Sequence, residues 1–102
     1  MALIRRKVAD SINDGHPDLR HVAKAMACSS RTLQRQLNNC GMDFRTLVDD
    51  TRKRLALHYL KDTDHTVTQV AFLLGYSEVS ALDRSFKRWT GKTPLHYRHR
   101  AG

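Results

Sequence analysis

The chain carries VAKAMACS at residues 22–29 and VAFLLGYS at residues 70–77, and these two stretches decide its fold. Apolar residues recur in both at the three- and four-residue spacing of a helix that buries one face. The small residue at the second position of each stretch lets another helix cross closely, and the small residue at the sixth position lets the chain bend. Each stretch therefore predicts a helix that ends in a tight turn.

The similarity continues beyond that turn. The segment LQRQL at residues 33–37 matches LDRSF at residues 82–86 after one extra residue, and Gly41 and Gly91 follow. A helix, a tight turn and a second helix form the helix-turn-helix pattern, whose second helix enters the major groove of DNA. Two ordinary helical hairpins would explain either copy alone. Two copies in register, each ending in glycine, favour the helix-turn-helix.

Helical spacing extends over almost the whole chain, beginning with a stripe at Ile4, Val8 and Ile12 that stops near Gly15. We predict an all-α fold of about seven helices, with two helix-turn-helix subdomains joined by a long linker helix. The predicted N-caps are Asp18, Ser29 or Ser30, Asp43, Thr66 and Thr93. The expected organisation is a single DNA-binding domain over residues 1–102, with a helix-turn-helix at 19–41, the linker helix at 43–61, the second helix-turn-helix at 66–91 and a terminal helix at 93–99.

The predicted core follows the same spacing. The linker helix is expected to bury one side, made of Phe44, Leu47, Val48, Thr51, Leu55 and Tyr59. Leu33 and Leu37 should face inward on one recognition helix, and Leu82 and Phe86 on the other. Tyr76, Trp89 and Tyr97 lie at core spacing, so we expect them to pack there instead of stacking on bases.

The positive charge is concentrated in a few segments. The formal net charge is +8. Residues 19–41 carry four basic and no acidic side chains, and residues 84–102 carry six basic and none acidic. A solvated basic surface would explain the total but not this segregation, whereas Lys and Arg side chains facing phosphates explain both.

Several classes of function find no support in the sequence. No apolar run reaches the roughly 20 residues of a membrane span, and the N-terminal residues lack the pattern of a secretory signal. Cys28 and Cys40 are too few for a disulfide framework, so we expect reduced thiols packed in the core of a cytoplasmic protein. His96 and His99 lack the further ligands of a zinc site. No catalytic or nucleotide motif occurs, and we expect no enzyme activity, cofactor or metal.

The second half of the chain resembles the C-terminal signature of the AraC/XylS family of bacterial transcription regulators. The matching segments are VAFLLGYSE at 70–78, RSFKRW at 84–89, GKTP at 91–94 and YR at 97–98. The first unit, residues 22–37, is similar to that family's first helix-turn-helix. The resemblance covers roughly residues 4–99, nearly the whole chain.

This resemblance implies a seven-helix domain that binds double-stranded DNA as a monomer. Its two recognition helices would enter successive major grooves, about 34 Å apart. It also implies contact with RNA polymerase through a face that does not touch DNA, for which the linker helix is a candidate. An effector-sensing or dimerisation domain, usual in full-length relatives, would lie outside these residues.

Two groups of DNA-contacting residues are predicted. The base-reading group, on the exposed sides of the two recognition helices, comprises Ser30, Arg31, Gln34, Arg35, Asn38, Glu78, Ser80, Ala81, Asp83 and Arg84. The phosphate-binding group comprises Lys24, Lys87, Arg88, Lys92 and Arg98. A phosphate contact is an alternative for Arg35, since half or more of such hydrogen bonds go to the backbone.

The chain departs from the family pattern at two informative positions. Asp83 stands where the family often has a small hydroxyl residue, and a carboxylate beside DNA is favourable only if it accepts from cytosine N4 or pairs with an Arg. Ala27 replaces a common turn glycine, which is tolerable if its φ stays negative. Two alternative functions are a fragment of an alkylation-repair regulator, which needs a reactive thiolate or a Cys₄ zinc site, and a basic helical protein-interaction module.

Overall fold

The computed structural model describes residues 2–15 and 17–101, and within these ranges it is all-helical, as predicted. The helices are α1 (Ala2–Asn13), α2 (Leu19–Ala25), α3 (Ser30–Asn39), α4 (Phe44–Asp62), α5 (Val67–Leu73), α6 (Val79–Thr90) and α7 (Pro94–Ala101). In this described part of the chain no helix has the length and apolar character needed to cross a membrane.

Side-chain caps begin most of these helices where the sequence predicts them. The Asp18 carboxylate accepts the His21 amide at 2.8 Å at the start of α2. The Ser29 hydroxyl accepts the Thr32 amide at 3.1 Å, so Ser29 is the cap of α3. The polar side chains satisfy amides that have no partner inside the helix. The predicted starts of α2 and α3 are thus each held by a side-chain hydrogen bond.

The helices α4 and α5 are capped as predicted too. Thr66 and Gln69 form a reciprocal capping box at α5, with the Thr66 amide donating to the Gln69 amide oxygen at 2.8 Å. Asp43 caps α4 by accepting the Thr46 amide at 2.8 Å. That hydrogen bond, followed by one from the Thr46 hydroxyl, lowers the pKa of the Asp43 carboxyl below its ordinary value.

The turns inside both helix-turn-helix motifs share one hydrogen-bond pattern. The Cys28 amide donates to the Ala23 carbonyl at 3.0 Å, and the Tyr76 amide donates to the Ala71 carbonyl at 3.0 Å. This Schellman arrangement needs a residue in the left-handed conformation just after the helix. Gly75 supplies it in the second motif, with a φ of 87°.

In the first motif, Ala27 adopts the left-handed conformation, with a φ of 57°. A negative φ, the condition under which alanine is tolerated at this turn without strain, is therefore not met. The cause is the turn, because the hydrogen bonds from the Ala27 and Cys28 amides to Lys24 and Ala23 close only when the chain reverses at this residue. Ala27 accepts a conformation that a Cβ atom disfavours by about 1–2 kcal/mol.

The chain divides into two compact units, Met1–Arg52 and Lys53–Gly102. In the first unit α2 packs against both α1 and α3. The Arg5 guanidinium pairs with the Asp50 carboxylate, joining α1 to the first half of α4. The core residues of this unit are Ile4, Val8, Ile12, Val22, Ala23, Leu33, Leu37, Leu47 and Val48.

In the second unit α6 packs against α5 and α7. Its buried core consists of Ala56, Leu60, Val70, Ala71, Leu74, Leu82 and Phe86. Tyr76, Trp89 and Tyr97 pack against this core, as predicted. The Phe86 ring meets the Trp89 and Tyr97 rings edge-on, with centroid distances of 6.3 and 5.6 Å.

The predicted stripe on α4 is confirmed at three positions, all in the first unit. Leu47, Val48 and Thr51 are buried, but Phe44, Leu55 and Tyr59 are half-buried, whereas Ala56 and Leu60 are the fully buried residues of the second half. A four-residue spacing drifts around a helix by about 40° at each step, because four residues exceed one 3.6-residue turn. The buried face therefore moves on by one residue in the second unit.

Candidate nucleic-acid interface

The first recognition helix, α3, presents a polar face opposite its core contacts. Leu33 and Leu37 are completely buried. The exposed side chains at Arg31, Gln34, Arg35 and Asn38 lie on the other side of the helix; Ser30, the remaining predicted base reader, is half-buried. The residues at Arg31, Gln34, Arg35 and Asn38 span about 100° of the helix circumference at 100° per residue.

The second recognition helix, α6, has the same construction. Leu82 and Phe86 are completely buried, and Ser80, Arg84 and Lys87 are exposed. Of the other predicted base readers, Asp83 and Ala81 are half-buried, and Glu78 is the exposed N-cap residue. The Glu78 side chain makes no capping hydrogen bond. All the predicted base readers of this unit therefore lie on α6 or at its N-cap.

The exposed readers differ from the structural arginines in what they bind. Within the described residues, no hydrogen bond or ion pair holds the side chains of Arg31, Arg35 or Arg84. The Arg5 guanidinium, by contrast, is engaged by Asp50. A guanidinium without a protein partner keeps its five donors available, which suits it to the acceptors of guanine or phosphate.

The predicted phosphate-binding residues divide between the two units. Lys24 is exposed on α2, and Lys87, Arg88 and Lys92 are exposed on α6 and just after it. Arg88 already has an interaction within the protein. Lys24, Lys87 and Arg88 lie on exposed parts of their helices, and Lys92 lies in the turn between α6 and α7.

Arg98 has an internal role. Its side chain donates to the carbonyls of Leu60 at 3.0 Å, Tyr59 at 3.2 Å and Thr63 at 3.4 Å. These carbonyls lie at the C-terminal end of α4, where no further helical amide can reach them. Arg98 therefore joins α7 to the end of α4, and its assignment to a phosphate stays a prediction.

Sequence reasoning missed two basic residues beside Lys24. Arg20 and His21 line a shallow depression of about 350 Å³ together with Lys24 and Asp18. Arg20 and Lys24 are four residues apart on α2 and therefore share one face of the helix. That spacing, within a segment already predicted to be basic, is the signal that would have found Arg20.

The cysteines are less buried than predicted. Cys28 is half-buried and Cys40 is exposed, and both are free thiols. The expectation that Cys40 lies in the core is wrong, because Cys40 is the C-cap of α3 and the chain leaves the helix there toward Gly41. Across residues 2–15 and 17–101, no group of three or more metal-ligating side chains is arranged around a common point.

The chain is similar to known transcription regulators in sequence. The model of the helix-turn-helix domain family matches residues 22–100. The ornithine utilization regulator of Pseudomonas aeruginosa is 43% identical over 82 residues, which make up 80% of this chain and 24% of that protein. The chain thus spans about a quarter of the length of the curated relatives it matches.

Solved structures extend the similarity to the fold. A DNA-binding transcriptional dual regulator from Escherichia coli K-12 superposes with a TM-score of 0.81 at 26% identity, over 96% of this chain and 91% of that one. The DNA-binding domain of the global transcriptional factor AdpA, solved in complex with a target DNA, has a TM-score of 0.75 at 25% identity, over 96% of this chain and 88% of its own. Both the repeated motif and these similarities lead to one assignment: the chain belongs to the helix-turn-helix domain family, as a DNA-binding domain of the AraC/XylS type.

Proposed function

We propose that this chain is the part of a bacterial transcription regulator that binds double-stranded DNA in a sequence-specific manner, in the cytoplasm. The observation that carries the proposal is the repeated design of α3 and α6. Each helix buries an apolar pair and exposes an arginine, Arg35 or Arg84, that has no partner among the described residues. An exposed recognition helix with free donors matches the acceptors at base edges in the major groove.

Affinity and specificity would come from different side chains. Lys24, Lys87, Arg88 and Lys92 would neutralise phosphates and release counterions, which makes binding salt-dependent. Specificity would come from the predicted base readers on α3 and at the start of α6, since base-edge contacts carry the sequence information. Basic residues next to both recognition helices support this division.

The recognition of two major grooves is the finer part of the proposal. The AraC/XylS resemblance implies two sequence blocks separated by about one helical turn, ~10 bp. Contact with RNA polymerase through a face that does not touch DNA is a further part, and α4 is the candidate face. In vitro transcription from a promoter that carries the recognised site tests this last part, and an unchanged transcript level contradicts it.

Selection from a random duplex library tests the proposed function. The chain is incubated with the library at about 150 mM salt, where non-specific binding is weak. We expect enrichment of an asymmetric motif with two blocks. A single block would contradict the two-groove part of the proposal. Failure to enrich any motif would contradict sequence-specific binding and would favour a basic protein-interaction module.

A further inference from the structure

The two recognition helices can be aligned residue by residue through their buried pairs. Leu33 and Leu37 on α3 occupy the same relative positions as Leu82 and Phe86 on α6, and all four are completely buried. The same alignment places Arg35 with Arg84 and Gln34 with Asp83; Arg31 aligns with Ser80, and Asn38 with Lys87. The structure therefore supplies equivalent reading positions, so the chemistry of the two helices can be compared directly.

The arginine position is common to both helices. At 100° per residue, Arg35 and Arg84 point almost directly away from the midpoint of their buried pairs. Both are exposed, and neither has a hydrogen bond or ion pair within the described residues. Guanine is the base whose major-groove edge offers two neighbouring acceptors, O6 and N7, which match the two parallel donors of a guanidinium.

The preceding position differs between the helices. Gln34 carries both an amide donor and a carbonyl acceptor, which match N7 and the N6 amino group of adenine. The Asp83 carboxylate carries acceptors only, and it has no partner in the described part of the chain. Cytosine offers a donor, N4, without an acceptor beside it, whereas guanine and thymine offer acceptors that repel a carboxylate and adenine places N7 next to its donor.

We infer that α3 and α6 read two blocks that share a guanine, bound by Arg35 in one and Arg84 in the other, and that differ at a neighbouring base. In the block of α3 that base is an adenine facing Gln34, and in the block of α6 it is a cytosine facing Asp83. The inference rests on the proposed function, because it assigns bases to the helices that the proposal places in the groove. It also gives Asp83 a role in binding DNA that the negative charge of its carboxylate alone would not suggest.

The first test uses the unaltered chain and the duplex recovered by selection. The position read by Gln34 is changed from adenine to cytosine, and the position read by Asp83 from cytosine to adenine, one duplex at a time. Each change should raise the Kd by about five- to 150-fold, the range expected for losing one well-matched base contact. The Arg35→Ala and Arg84→Ala variants identify which block belongs to which helix, because each relaxes the guanine of its own block.

The second test exchanges the reading side chains. Selection with Gln34→Asp should convert adenine to cytosine in the α3 block only, and selection with Asp83→Gln should convert cytosine to adenine in the α6 block only. Matched controls make the same charge changes elsewhere. Gln36→Asp lies on α3 outside the predicted readers, and Asp64→Asn alters an exposed carboxylate before α5. Neither control should move any base preference.

The outcomes separate the inference from the proposed function. If the unaltered chain enriches a motif but tolerates the single base changes with less than a twofold change in Kd, the base assignments are wrong and sequence-specific binding stands. If the exchanged variants fold, bind and keep the original preferences, the assignments are equally wrong. If the unaltered chain enriches no motif, the proposed function fails, and the inference fails with it.

Discussion

Ala27 holds a left-handed turn that the equivalent Gly75 holds without a side chain. Replacement of Ala27 by glycine removes the clash of the Cβ atom, worth about 1–2 kcal/mol, and increases the freedom of the unfolded chain, worth about 0.4–1 kcal/mol. We therefore expect Ala27→Gly to raise the free energy of unfolding by about 0.5–1 kcal/mol. Urea denaturation followed by circular dichroism measures this difference.

The control for that prediction is the same substitution two residues earlier. Ala25 is the last residue of α2 and is exposed. Ala25→Gly should destabilise the chain by about 0.5–1 kcal/mol, because glycine costs entropy in a helix. Stabilisation by both substitutions, or by neither, would contradict the account of strain at Ala27.

Asp43 gives the stability a defined dependence on pH. Hydrogen bonds from the Thr46 amide and hydroxyl hold the pKa of the folded Asp43 carboxyl below its ordinary value of 3.8. The charged cap therefore stabilises the fold above pH 3.8, and this contribution is lost as the pH falls through the folded pKa. The Asp43→Asn variant keeps a hydrogen-bond acceptor but does not titrate, so its stability should lack this pH-dependent contribution.

Urea unfolding of the unaltered chain and of the Asp43→Asn variant, from about pH 7 down to about pH 2, measures this pH-dependent contribution to the free energy of unfolding. The difference in unfolding free energy between the chain and Asp43→Asn should be constant at neutral pH and shrink in acid. A difference that grows in acid would have the wrong sign for a carboxyl with a lowered pKa.

Local chemistry made several single residues predictable. Asp18, Ser29 and Thr66 were identifiable as caps because their side chains act on amides only three residues away. The conformation of Ala27 was not, because the favourable turn hydrogen bonds outweigh a preference that is read from one residue alone. The exposure of Cys40 was missed because helical spacing was extended by one residue beyond the end of α3.

At the scale of the elements, one side chain of α7 binds the end of α4. Arg98 donates to carbonyls of Tyr59, Leu60 and Thr63, so Arg98→Ala leaves the end of α4 without these partners. We expect a loss of about 1–3 kcal/mol in the free energy of unfolding. The slope of log Kd against log salt for DNA should stay unchanged, because these donors already serve the protein.

Lys92→Ala is the matched comparison. Lys92 is exposed beyond the end of α6, so its removal should change stability by no more than about 0.5 kcal/mol and should reduce the salt slope by about one. If Arg98→Ala reduced the salt slope as Lys92→Ala is expected to, the guanidinium would bind a phosphate, as the sequence alone suggested.

The helices also show which features the spacing of apolar residues can predict and which it cannot. The short helices α2 and α5 were placed well because a side-chain cap begins each and a left-handed residue follows each. The buried face of α4 could be predicted only for its first half. Its second half belongs to another unit, and a helix pattern does not indicate where one core ends and the next begins. The contact of Arg98 joins residues far apart in sequence, so no local pattern could indicate it.

At the scale of the whole molecule, each recognition helix should contribute separately to specificity. Arg35→Ala and Arg84→Ala should each raise the Kd for the selected duplex by about five- to 150-fold and have little effect on a shuffled duplex. Fluorescence anisotropy at about 150 mM salt measures both duplexes. Arg6→Ala, which removes an exposed arginine of α1, is the control and should leave the selectivity unchanged.

A phosphate contact would give another result for the same variants. An arginine bound to a phosphate would weaken binding to the selected and shuffled duplexes alike and would lower the salt slope by about one when removed. Equal losses on the two duplexes would therefore contradict base reading by the arginine concerned.

The ratio of two affinities tests the central claim most directly. The unaltered chain is titrated at about 150 mM salt with the selected duplex and with a shuffled duplex of the same length and composition. A sequence-specific regulator domain should bind the selected duplex at least about 10³-fold more tightly. Equal affinities for the two duplexes would contradict sequence-specific DNA binding by this chain.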